Sequence, residues 1–158
     1  MDSVSRVTHV PPDSSDLDAA VIGLLQTDSQ LAALLVDGIF FDVAPVNAKQ
    51  FGIVSIIDEL DEDDFSGRVF EDVLYLVKAV ELSTVTTKNI KPAAARIDAL
   101  LNRAQFTAPG FGSVSGVREE RIRNTEVDDV DKSIRWLHRG GQYRIMATLT
   151  PSATTTKK

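Results

Sequence analysis

Length, composition and charge place the chain among ordinary single-domain soluble proteins. Its 158 residues, 43% of them hydrophobic and 25% charged, suffice for one domain, which at this size buries about 70% of its unfolded surface. The net charge of −6 gives no overall attraction to nucleic acid, and the absence of cysteine excludes disulfides, thiolate metal sites and cysteine nucleophiles.

Both ends of the sequence are polar and predict segments outside the folded domain. Residues 1–15, which include Pro11-Pro12, are interpreted as a flexible arm or as one that a partner orders. Residues 151–158 are interpreted as a disordered tail. The single domain is then residues 16–150, and no apolar run in the sequence approaches the ~18 residues of a membrane span, so no membrane partner is expected.

The first predicted element is a helix capped by Ser15 or Asp16, with a restart at Asp28 and a stop at Asp37-Gly38. Its apolar stripe is Leu17, Ala20, Val21, Leu24 and Leu25, then Leu31, Leu34 and Leu35. Short strands follow at residues 39–43 and 51–57, where β-branched and aromatic residues are frequent.

Residues 58–64 form an acidic run in which six of seven residues are Asp or Glu. Such a run is most often a solvated loop. Residues 69–83 then alternate with apolar residues on both faces, which predicts a central strand covered on both sides.

The second half of the sequence predicts one more helix and two more strands. The helix has the buried stripe Ile90, Ala93, Ala94, Ile97, Leu100, Leu101 and Ala104. The Gly/Ser-rich residues 106–116 predict a loop. Residues 117–127 predict a strand. Residues 133–149 predict either a final strand pair or one long strand that is broken or bulged at Gly140-Gly141.

The order α-β-β-β-α-β-β predicts an α+β fold, with a single mostly antiparallel sheet packed by two main helices. No repeat and no second domain is evident in the sequence.

Arginines mixed with acidic residues are the main charged feature of the last two predicted strands. The arginines are Arg118, Arg121, Arg123, Arg135, Arg139 and Arg144, and the acids among them are Glu119, Glu120, Glu126, Asp128, Asp129 and Asp131. Mixed signs argue against a stripe that binds phosphate. They fit either a solvated, intra-sheet set of ion pairs or a charged subunit interface.

No catalytic, cofactor or metal site can be assigned from the sequence. His9 and His138 are far apart and lack a ligand pattern, and the acidic run lacks the spacing of an EF-hand loop. The glycines at 110, 112 and 116 do not form a phosphate loop, and no serine has a partner base. Trp136 is interpreted as a core or interface anchor.

Four stretches, taken in their order along the chain, resemble the tail terminator, or tail completion, proteins of long-tailed bacteriophages. The first is LDAAVIGLLQTDSQLAALL (residues 17–35), an opening helix with a restart, and the second is GIFFDVAP (38–45), a short strand with a proline. The third is the helix KPAAARIDALL (91–101), and the fourth is the last strand, WLHRGGQYRI (136–145). Together they cover most of the chain.

The resemblance implies a virion protein without catalysis or cofactor, made in the bacterial cytoplasm. It would form a ring, usually a hexamer, at the head-proximal end of the tail tube, where it would end tube polymerisation and meet the head connector. Its partners would be further copies of itself, the tail tube protein and the connector or stopper, and DNA would pass through without specific binding.

Two groups of residues are candidates for contacts in such a ring. We expect lateral contacts from Arg118, Arg121, Arg123, Arg135, Trp136, Arg139 and Arg144. We expect a loop facing the lumen or an adjacent ring at Asp58, Glu59, Asp61, Glu62, Asp63 and Asp64. The alternatives are a head-completion or stopper protein of the neck and, in a different class, a small-molecule-binding or enzymatic α+β domain, which would need a pocket with convergent polar groups.

Overall fold

A computed structural model describes residues 14–64, 67–84 and 88–150. The nine elements are α1 (Ser14–Gln26), α2 (Ser29–Leu34), β1 (Ile39–Phe41), β2 (Gln50–Asp64), β3 (Gly67–Leu82), α3 (Ile90–Leu101), β4 (Ala104–Phe106), β5 (Phe111–Val127) and β6 (Arg135–Leu149). The predicted arm and tail lie outside the described residues, apart from the two residues that begin α1.

One mixed sheet of six strands, in the order β1-β2-β3-β6-β5-β4, organises the described chain. Only the β1–β2 pair is parallel, and the other four pairs are antiparallel. The predicted α+β class with a mostly antiparallel sheet is therefore confirmed. Relative to the predicted order, the first helix is divided in two and the short strand β4 is added.

The division between α1 and α2 follows from the side chain of Asp28. Its carboxylate accepts a hydrogen bond from the backbone N–H of Leu31 at 2.8 Å, which caps the new helix. The same carboxylate pairs with Arg96 of α3 at 2.5 Å and so ties the two helices together. The pKa of Asp28 is lowered by this arginine first and by the backbone N–H groups next.

The helices bury one face of the sheet. α1 contributes Leu17, Val21 and Leu25 to a single cluster, and α3 contributes Ile97 and Leu101. The sheet contributes the residues of β3 and β6 that point to this side, among them Val73, Tyr75, Val77, Tyr143 and Ile145. We call this side of the sheet the helix face and the other side the open face.

β3 is central, as predicted, but its two faces are buried by different neighbours. Leu74 and Val80 on the open face are 7% and 3% exposed, yet neither belongs to the cluster under the helices. On that side an aromatic pair from the adjacent strands gives cover, since the rings of Phe51 and Trp136 lie 6.2 Å apart. The open face is thus covered by side chains of the sheet itself, and only in part.

The prediction of a loop at residues 58–64 is wrong, because their backbone continues strand β2. The pairing with β3 runs through Asp63↔Arg68 and Asp64↔Gly67, with irregularities after Ile56 and Glu62. Backbone ladder bonds do not depend on side-chain charge, and Asp58 and Glu59 are exposed to water. Acidic residues therefore do not prevent the strand from extending.

The predicted loop at 106–116 is also largely strand, and Gly116 within it allows close packing. A Cβ at Gly116 would lie 2.3 Å from the carbonyl oxygen of Leu101, at the end of α3. Phe111 and Val114 on the same strand are buried in the helix-side cluster. Small residues here let α3 approach β5 and do not interrupt the strand.

Gly140-Gly141 does not break the last strand. β6 pairs with β3 from Phe70↔Thr148 to Leu82↔Trp136 without a shift in register. A Cβ at Gly140 would lie 2.1 Å from the carbonyl oxygen of Val77, and one at Gly141 would lie 2.7 Å from that of Glu120. The bulge belongs instead to the neighbouring strand, between Arg118 and Glu120.

Replacing Gly140 by Ala should lower the free energy of unfolding by at least about 1–3 kcal/mol, because backbone atoms would have to move. Gly23→Ala is the matched control, since a Cβ there meets nothing within 4 Å. In the middle of α1 that control should be neutral or stabilising by up to about 1 kcal/mol. Urea unfolding of both variants gives the comparison, and equal effects would contradict the close approach at Gly140.

Candidate assembly surfaces

The residues predicted for lateral contacts divide between the two faces of the sheet. Antiparallel partners lie on the same face, so the register assigns each residue. Arg118, Arg121, Arg123 and Arg139 pair with Tyr143, Gly141, Arg139 and Ala79 and lie on the helix face. Trp136 and Arg144 lie on the open face, and Arg135 begins β6, where its guanidinium donates to the carbonyls of Lys132 and Ile134.

A bulge between Arg118 and Glu120 sorts the charges of β5 by sign. The extra residue brings Arg118 onto the same face as Arg121 and Arg123. Glu120 and Glu126 pair with Gln142 and Trp136 and so lie on the open face. The alternating signs of the sequence thus become one basic and one acidic face, which a reading by sequence spacing alone misses.

Arg118 has a partner within its own subunit. Its guanidinium lies 2.5 Å from the Asp98 carboxylate of α3, which also accepts a hydrogen bond from the Tyr143 hydroxyl at 3.3 Å. Burial, and then the nearby Asp98 charge, raise the pKa of Tyr143, which therefore stays protonated. This group joins α3 to β5 and β6 and leaves Arg118 less available to a partner.

The other three arginines of the helix face have no ion-pair partner among the described residues. Arg121, Arg123 and Arg139 line a cleft of about 350 Å³ between α3 and the sheet, together with Lys91 of α3. The only carboxylate in its lining is Asp98, already engaged. We call Lys91, Arg121, Arg123 and Arg139 the arginine cleft. Lys91 was missed in the sequence because it belongs to a distant helix.

Arg144, on the open face, is held by two carboxylates. It pairs with Asp72 at 2.6 Å and with Glu119, the bulged residue of β5. These hydrogen bonds, the one to Glu119 first, raise the pKa of Arg144. The position bridges three strands, β3, β6 and β5, so the structure favours an intra-sheet role for this residue.

A hollow of about 440 Å³ lies on the open face beside the β5–β6 turn. Phe51, Val80 and Trp136 form part of its apolar lining. The Trp136 indole N–H donates to Asp128 at 3.1 Å, which orients the ring. Asp128 also accepts from the turn N–H groups of Val130 and Asp131, and these bonds, with that of Trp136, lower its pKa.

His138 lies at the base of this hollow and is 7% exposed. Glu126 lies 3.2 Å from its Nε2 without hydrogen-bonding geometry, and no described group bonds to its Nδ1. Burial, and then the positive charge of Lys78, lower the pKa of this imidazole, and Glu126 acts in the opposite direction. His138 is therefore neutral at pH 7.

Buried carboxylates elsewhere serve the fold. Glu81 is 1% exposed, accepts from the Gln50 amide at 2.7 Å, and accepts from the backbone N–H of Ile90 at 2.9 Å. It thereby satisfies the first turn of α3. Among the described residues no group of three or more His, Asp or Glu could hold a metal ion.

The predicted acidic contact segment, residues 58–64, lies at the far end of the sheet from the arginine cleft. Glu59 pairs with Val73, whereas Arg139 pairs with Ala79 and Arg123. Within one subunit the acidic segment is therefore far from Arg123 and Arg139. Arg144 is the exception, because it and Asp58 are both cross-strand partners of Leu74 on the open face. None of the described helices has the length and apolar character needed to cross a bilayer.

Solved structures share this fold. A chain from the virion of a native gene transfer agent particle is 21% identical, with a TM-score of 0.55 over 85% of this chain and 96% of that chain. A second solved chain is 11% identical, with a TM-score of 0.60 over 89% of this chain and 99% of its own length. No protein-family model and no curated protein matches the sequence. At these identities the likeness shows a common fold.

His138→Gln should reduce the pH dependence of stability. Because the folded pKa is below the ordinary value of 6.5, the unfolded chain binds more protons between the two values. The wild type therefore has its full stability above the pKa that His138 has in the unfolded chain, and it loses stability as the pH falls below that value. Urea unfolding at about pH 7.5 and about pH 5.5 should show a larger loss for the wild type than for the variant. Equal losses would contradict the burial of a neutral imidazole.

Proposed function

We propose that this protein is a structural component of a phage-like virion. It forms a ring at the head-proximal end of the tail tube, ends tube polymerisation and joins the tail to the head connector. In this role it has no catalytic activity and acts only through contacts with further copies, with the tube and with the connector.

The observation that carries the proposal is the shared fold with a virion chain of a gene transfer agent particle, which extends over almost the whole of that chain. The four sequence stretches that resemble tail terminators point in the same direction. They form α1 with α2, β1 and its flanks, α3, and most of β6, so the resemblance rests on the elements that build the core.

The distribution of charge also supports an assembly role. The domain has a basic cleft on the helix face, an acidic segment at the opposite end of the sheet, and an aromatic hollow on the open face. A closed ring needs two different, complementary surfaces on each subunit. The acidic segment either lines the lumen, where it would repel DNA phosphates, or contacts a neighbouring subunit.

A head-completion or stopper protein of the neck is the alternative within the same class. It would form a ring too, but it would bind the portal side first. Binding to tail-free heads would favour that role, whereas binding to tubes without heads would favour the terminator.

The hollow of about 440 Å³ is the observation that favours a small-molecule-binding domain. Its size falls within the range of ligand sites. Its deepest ionisable group is the neutral His138, and Trp136 and Asp128 are already bonded to each other. These features fit an aromatic contact surface better than a reaction centre.

The test is mass photometry of the purified full chain, alone and mixed with the tail tube protein of its own particle, with tube lengths measured by electron microscopy. We expect a closed ring in solution or on the tube ends, and tubes that stop growing when the protein is added. A monomer under both conditions, with tube growth unchanged, would refute the proposal.

A further inference from the structure

The arginine cleft concentrates positive charge that the subunit itself does not neutralise. Arg123 and Arg139 are direct cross-strand partners on the helix face, and Arg121 lies two residues from Arg123 on the same face. Like charges placed opposite each other are unfavourable. They are tolerated because Arg121 and Arg123 are exposed to water. An anionic partner would remove this repulsion and gain charged hydrogen bonds.

The acids nearest in sequence cannot act as that partner. Glu120 and Glu126 lie on the open face of the same strand, behind the sheet. Asp98, inside the cleft, already binds Arg118 and Tyr143. The arginines of the cleft therefore remain available to an anionic group of another molecule.

The acidic segment 58–64 of the same subunit is also out of reach. Asp61 pairs with Glu71, which pairs with Ala147 of β6, eight residues beyond Arg139. That offset is about 26 Å along the strand, with about 10 Å more across two strand spacings. The screening length in physiological salt is about 8 Å, so the two charged groups barely sense each other within one chain.

We propose that the arginine cleft receives the acidic segment 58–64 of a second copy of this chain. This inference rests on the proposed ring and assigns its side-by-side contact. One end of the sheet carries the donor segment and the other end carries the acceptor, so the contact is heterologous and repeats from subunit to subunit until rotation closes it. On association the exposed arginines lose their contact with water. Ion pairs across the water-excluded interface are stronger, and they fix the position of one subunit against the next.

Nucleic acid is the competing polyanion, and the charge distribution disfavours it. The chain has a net charge of −6, and the cleft itself holds Asp98. A copy of the chain, by contrast, carries six acidic residues within seven positions.

Disulfide trapping tests the contact directly, because the natural chain has no cysteine. We would make Glu59→Cys with Arg123→Cys in one full-length chain. A disulfide needs Cα atoms within about 7 Å, so these two positions can only bond between copies. Mild oxidation should give a ladder of covalent oligomers that ends at a closed ring.

The matched control pairs Glu59→Cys with Asn124→Cys. Asn124 is adjacent to Arg123 and is also exposed, but it pairs with His138 on the open face. This control should cross-link far less. Equal cross-linking in both variants, or none in either, would overturn the inference.

Charge reversal separates this inference from the ring itself. Arg123→Glu should weaken self-association at least about tenfold, whereas Lys132→Glu, the same charge change in the exposed β5–β6 turn, should not. In an equimolar mixture of an Arg121→Glu/Arg123→Glu chain with an Asp58→Lys/Glu59→Lys chain, the new glutamates of one chain face the new lysines of the other. The mixture should therefore recover self-association that neither chain shows alone.

Each outcome has a distinct meaning. If the wild type forms rings that Arg123→Glu leaves intact, the contact lies elsewhere and the inference fails while the proposed function stands. If the wild type forms no ring with or without tubes, the proposed function fails. If a duplex DNA oligonucleotide binds the wild type at physiological salt and Arg123→Glu abolishes this binding, the cleft is a phosphate site and the inference fails.

Discussion

The burial of one face of the sheet under the helices is the constraint on which the rest of the structure depends. Leu17, Val21, Ile97 and Leu101 share a single cluster with the helix-side residues of β3 and β6. A chain of this length supports one core of this kind. Once that face is occupied, the other must be stabilised by the strands' own side chains, among them the pair Phe51 and Trp136.

The sequence was most informative where periodicity reflects this core. The stripes of α1 and α3 and the alternation of β3 led to the correct class, because each is imposed by one buried face. It was least informative where a residue type has two physical roles. Gly116 and Gly140 suggest a turn or break by composition, yet both allow a backbone to pass closely. The acidic residues of 58–64 suggest a loop, yet a strand that projects into water can carry them.

The candidate surface was only partly predictable for a related reason. The sequence identifies the arginines, but it leaves open whether they form ion pairs within the sheet or contact another subunit. A single bulge at residue 119 changes which residues share a face, and a strand pattern cannot show where a bulge lies. Arg118 and Arg144 do find carboxylates in their own subunit, from α3 and β3. Arg121, Arg123 and Arg139 do not, and only the three-dimensional register separates these two groups.

This separation bears on how a small domain could close into the proposed ring. Ion pairs completed inside the subunit, such as Arg144 with Asp72, stiffen the sheet without offering anything to a neighbour. By contrast, the helix face carries arginines without a carboxylate partner, and the acidic segment 58–64 lies at the opposite end of the sheet. This arrangement favours a directional contact between identical subunits. The open face carries none of the unpaired arginines, and Trp136 and Phe51 line its hollow. A subunit built this way can use its charges for lateral closure and keep a chemically different surface for whatever lies above or below the ring.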